Sequence, residues 1–100
     1  MANICNNEFY AYSDNPENIK YIQNWFVNEY TNYIEIETTS DTTVDGWFES
    51  RWSFPEEQMN KLYEGLPDKE DIYMRCLSVE YGNDYVDYHK CEEDGWYQVI

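Results

Sequence analysis

The chain has 100 residues, of which 21 are acidic and six basic, for a net charge of −15. That excess repels phosphate, which disfavours direct nucleic-acid binding and adhesion to anionic membranes and favours a basic partner surface. A hydrophobic content of 42% and an aromatic content of 19% exclude the signature of disorder, so a single folded domain over residues 1–100 is expected.

Residues Ile4 to Tyr12 alternate as a strand, with Cys5, Phe9 and Ala11 on one face and Glu8, Tyr10 and Tyr12 on the other. Asn15 before Pro16 fits an N-cap with proline at the first helical position. Ile19, Ile22, Phe26 and Tyr30 then follow at helical spacing, placing the helix end near Tyr30. Tyr33 to Thr38 returns to alternation, Thr38 to Gly46 reads as a polar loop, and Trp47 to Trp52 as a third strand. On that strand Phe48, Ser50 and Trp52 share a face, so both aromatics are expected beneath the second helix.

Ser53 and Glu56 have capping-box spacing, with Pro55 in the first turn. Met59, Leu62, Tyr63 and Leu66 form the buried stripe of that helix, and Gly65 with Pro67 stops it. Ile72 to Tyr81 is a long strand, Gly82-Asn83-Asp84 a turn, Tyr85 to Lys90 a fifth strand, Glu92 to Gly95 a turn and Trp96 to Ile100 a last strand. The order β-α-β-β-α-β plus β-β is a ferredoxin-like α+β arrangement, an antiparallel sheet with two helices on one face and a C-terminal β-hairpin extension.

Several runs carry a family resemblance: Met1-Ala2-Asn3 with Cys5 and Asn7, Phe48-Glu49-Ser50-Arg51-Trp52-Ser53 leading into Pro55 and a helix, and Glu80-Tyr81-Gly82 after the fourth strand. In these the chain resembles the YubB-type ferredoxin-like domains encoded on plasmids, phages and related mobile elements. It departs at Ile4, where that family often has tryptophan, and at Phe54, which replaces the first proline of its usual Trp-Ser-Pro-Pro. The resemblance implies the fold and a mobile-element origin, and it carries over no catalytic residue.

The amino terminus has no basic leader before an apolar run, and no stretch approaches the ~18 apolar residues of a membrane span, so a cytoplasmic protein is expected. Cys5, Cys76 and Cys91 are odd in number and widely spaced, which reads as reduced thiols. Asp87, His89 and Cys91 alternate onto one strand face and are the residue types of an activated nucleophile or a zinc ligand set. Zinc, however, calls for paired short spacings, and neighbouring acids disfavour a thiolate. Asp41 to Gly46 lacks the ligand series of a calcium loop, and no phosphate-cradling or nucleophile-elbow motif is present. No cofactor, no metal and no enzymatic activity are therefore expected.

What stands out is acid combined with tyrosine in the last third. Glu80, Asp84, Asp87, Glu92, Glu93 and Asp94 are the expected phosphate surrogates of a binding face, with Tyr81, Tyr85 and Tyr88 as packing anchors. The expected function is that of an acidic, non-enzymatic inhibitor from a phage or mobile element, acting in the host cytoplasm as a monomer or weak homodimer. It would mimic nucleic acid and block the basic channel of a host defence nuclease such as a CRISPR effector. The alternative is a structural or interaction module of a mobile element whose acids serve solubility.

Overall fold

A computed structural model describes residues 3–100, so Met1 and Ala2 of the opening motif lie outside the described residues. In chain order the elements are β1 (Ile4–Tyr12), α1 (Pro16–Asn28), β2 (Ile34–Ser40), β3 (Thr43–Arg51), α2 (Glu56–Glu64), β4 (Tyr73–Glu80), a single 3-10 turn (Tyr81–Asn83), β5 (Tyr85–Glu92) and β6 (Gly95–Gln98). The strands form one sheet in the order β2-β3-β1-β4-β5-β6. All neighbouring pairs are antiparallel, and the α+β arrangement is compatible with a ferredoxin-like fold.

The alternation read in β1 decides the two faces. Cys5, Asn7, Phe9 and Ala11 are buried against the helices, while Glu8 and Tyr12 face outward. Asn15 caps α1 through its side chain, accepting from the Glu17 amide at 3.0 Å. Ile19, Ile22 and Phe26 then turn inward, and Phe26 meets Phe9 and Phe48 at ring-centroid distances of 5.0 and 5.1 Å. Met59, Leu62 and Leu66 of α2 and its exit close the other half of the core. Among the described residues, no helix lies over the outer sheet face.

Three local expectations are corrected. Thr38 to Gly46 is not a loop but a β2–β3 hairpin, with Asp41 and Thr42 at its turn and an irregularity between Thr38 and Ser40. Threonine is at home in strands, which outweighs its polarity. Gly46 lies inside β3 at φ +146°, and a Cβ there would run into the Glu35 carbonyl of β2. Glycine at this position lets the two backbones close.

Trp52 is not beneath α2. The Ser53 amide bonds the Arg51 carbonyl at 2.8 Å with Trp52 at φ 73°, which is the geometry of a γ-turn. This turn ends β3 and swings the indole outward, where it is 51% exposed. Phe48 packs instead against α1 and Tyr30, and Phe54 takes the place under α2, touching His89 and Trp96. The capping box also fails: Pro55 occupies the N-cap position of α2, with no side-chain cap bond. Among the described residues, no helix is long and apolar enough to cross a membrane.

Candidate functional site

The residues expected to form one acidic face are divided by the fold. Glu80 and Asp87 point inward and are 3% and 8% exposed, so neither serves as a surface charge. Period-two alternation puts Asp87 opposite Ser78, and Glu80 opposite Tyr85, on the helix side of the sheet. The Glu80 carboxylate accepts the Gly82 amide at 2.7 Å. Asp87 accepts from Tyr85 Oη and Gln98 Nε2 at 2.8 Å and from the Tyr88 amide at 3.0 Å. Burial, aided by Asp87, pushes the Tyr85 phenol up to about 12.

The remaining predicted residues are dispersed. Asp84 and Tyr81 lie at one end of β5, Glu92, Glu93 and Asp94 at the other, and Tyr88 faces outward between them. At ~3.3 Å per residue the two acidic ends are more than about 20 Å apart. They make no single patch.

Asp87, His89 and Cys91 do share the inner face. His89 Nε2 is 3.8 Å from Asp87 Oδ2, and Phe54 covers the imidazole as a stacked ring. Burial lowers the histidine pKa against the opposing pull of Asp87. The Cys91 thiol faces the Glu92 carbonyl at 3.7 Å, and burial pushes it up to about 12. Further along this face Asn7 donates to Ser50 Oγ at 2.9 Å and accepts from Ser78 Oγ at 2.6 Å. Asn7, Ser50 and Ser78 form a bonded polar layer of the core, while Nδ1 of the His89 ring is buried with no hydrogen-bond partner among the described residues. Among the described residues, no three metal-ligating side chains gather.

A denser acid–aromatic surface lies on the open face of β2, β3 and β1. Register places Glu35 beside Trp47 and Trp47 beside Glu8, Glu37 beside Asp45 and Asp45 beside Tyr10, and Glu49 beside Asn6. Five carboxylates thus surround one indole at the ~4.8 Å and ~6.6 Å spacings of a sheet. Glu35 is held by Trp47 Nε1 at 3.0 Å and Tyr33 Oη at 2.6 Å. The three strands contain one basic residue, Arg51, at the last position of β3.

Beyond β1 the same face changes character. Arg75 of β4 and Lys90 of β5 are direct cross-strand neighbours. Arg75 lies over the Tyr10 ring at 4.2 Å, and Lys90 is near Tyr73 and Tyr88 at 6.0 and 5.9 Å. Between the halves runs a shallow groove of about 830 Å³, floored by Glu8 and Leu77 and lined by Trp47, Tyr10, Tyr88 and Tyr81. Sequence reasoning missed this surface because its members come from three strands, and Asp45 sat in a segment read as a loop. The visible signal was the alternation of Glu35 and Glu37 with Ile34 and Ile36. Comparison with known protein families, curated proteins and solved structures finds no match.

Proposed function

We propose that the chain is an acidic, non-enzymatic binding protein of a phage or mobile element, a cytoplasmic inhibitor that mimics nucleic acid in the basic channel of a host defence nuclease, in the manner of an anti-CRISPR. The observation that carries this reading is the group of five carboxylates, Glu8, Glu35, Glu37, Asp45 and Glu49, around Trp47 on an uncovered sheet face. Duplex DNA presents one charge per ~1.7 Å. A sheet array is sparser, yet it suffices to fill a basic groove and to draw it in by long-range attraction. Trp47 and Tyr10 supply the planar surface that bases would offer such a channel. The strand order supports a ferredoxin-like domain with β5 and β6 as its extension, and the motifs around Phe48 and Glu80 support the YubB-type kinship and mobile-element origin.

The test is inhibition of target-DNA cleavage by purified guide-loaded CRISPR nucleases. Inhibition is expected to weaken with salt, to be competed by nucleic acid, and to be lost in the triple variant Glu35→Lys, Glu37→Lys, Asp45→Lys. Equal potency of that variant at low salt would exclude the acidic half as the mimic. The second reading, an interaction module, draws support from the half-buried Tyr10, Trp47, Leu77 and Tyr88 that line the groove on the same face.

A further inference from the structure

One row of side chains crosses most of the open face, Glu37 on β2, Asp45 on β3, Tyr10 on β1, Arg75 on β4 and Lys90 on β5, with Tyr97 of the edge strand β6 beyond Lys90. Its charge is antisymmetric about Tyr10, with two acids on one side and two bases at matching distances on the other. None of the four is in an ion pair among the described residues. Among the described residues, the ion pairs are Lys20 with Glu17, Lys61 with Glu57 and His89 with Asp87. Like charges directly opposite each other on neighbouring strands destabilise a sheet. Arg75 and Lys90 nevertheless stand side by side in a chain with 21 carboxylates.

We propose that a second copy of this chain docks on the open face, strands over strands, about a two-fold axis parallel to β1 that passes over Tyr10. Such an axis leaves each row facing itself and exchanges its two ends. Asp45 and Glu37 of each copy then meet Arg75 and Lys90 of the other, giving four intermolecular charge pairs. In the next row Trp47 faces Leu77 and Glu35 faces Tyr88 of the other copy. Open sheet faces of this kind pack on one another in an aligned manner at ~10 Å. Five strands by six residues give roughly 500 Å² in projection, and side-chain relief raises this toward the ~800 Å² per partner of a stable interface. The cost falls on the axis, where each Glu8 faces its counterpart.

The dimer stands on the charge row and not on the inhibitor reading, although both use one face and exclude each other. Sedimentation of purified protein at about 0.15 M salt tests it, with circular dichroism confirming that each variant is folded. Wild type is expected to dimerise with rising concentration. Arg75→Glu/Lys90→Glu and Glu37→Lys/Asp45→Lys are each expected to lose at least about tenfold in self-association. An equimolar mixture of the two is expected to restore dimers, because one row is then all acidic and the other all basic. Glu8→Gln is expected to tighten the dimer at least severalfold. A wild type that stays monomeric, folded charge variants that dimerise unchanged or fail to pair when mixed, or a Glu8→Gln dimer no tighter than wild type would each overturn the proposal. The monomeric Arg75→Glu/Lys90→Glu variant keeps all five carboxylates, so its nuclease inhibition separates failure of the dimer from failure of the mimic.

Discussion

The ring of Phe54 lies flat on the imidazole of His89, with centroids 3.7 Å apart and planes within 9°. This cover, with burial, favours the neutral imidazole and lowers its pKa below the ordinary 6.5, although Asp87 and Glu56 pull the other way. The unfolded chain therefore takes up a proton at higher pH than the folded one. The stability contributed by the neutral ring is complete above about pH 6.5 and is lost as pH falls through the folded value. Urea midpoints are expected to drop between about pH 7.5 and 5.5. His89→Gln is expected to flatten that part of the profile, and an unchanged slope would remove His89 from the account.

Phe54 takes the place under α2 that the sequence suggests for Trp52. Phe54→Ala is expected to cost about 3–5 kcal/mol, as for other buried aromatics. Trp52→Ala, at a half-exposed side chain, is expected to cost less than about 1 kcal/mol. Trp52→Gly is expected to recover about 1 kcal/mol by relieving the positive φ of the γ-turn. Denaturant unfolding of the three variants decides the order.

The three thiols are all buried. Desolvation raises Cys5 and pushes Cys76 and Cys91 up to about 12. A thiol reagent at mild alkaline pH is expected to modify none of them in the native protein and all three after denaturation. Rapid native labelling of Cys91 would restore it as a candidate nucleophile.

Gly46→Ala is expected to destabilise by about 3 kcal/mol, because both the positive φ and the Glu35 carbonyl oppose a side chain. Loss of the Glu35 and Glu37 amides from the slow-exchanging set would accompany it, since these are the β2 amides that face β3.

Where the sequence was legible, a period carried the information. Alternation in β1 and the three-four spacing of Ile19, Ile22 and Phe26 mark the residues that are buried. The turn signals around Asn83 and Asp94 likewise matched chain reversals. The hairpin at Asp41 was hidden because threonine serves loops and strands alike. A left-handed φ at a tryptophan leaves no mark in composition, so the outward turn of Trp52 could not be read. Asp87 was misplaced for a different reason. A carboxylate inside a sheet needs donors from elsewhere, and Gln98 lies eleven positions away across a strand pair. The acidic array around Trp47 is a property of register, and register between strands distant in sequence is settled by folding as a whole.

The central strand carries one more consequence. Through Asn7, β1 is tied on one side to Ser50, 43 residues later, and on the other to Ser78, 71 residues later. A sheet whose middle must wait for partners so far along the chain cannot be nucleated locally, and folding on the millisecond-to-second scale follows from such topology. During that interval β1 has two unpaired edges, and the negative charge spread along the chain keeps neighbouring molecules from pairing with them. The acids that crowd the finished surface thus act earlier as well, as a kinetic safeguard while the middle of the sheet is still open.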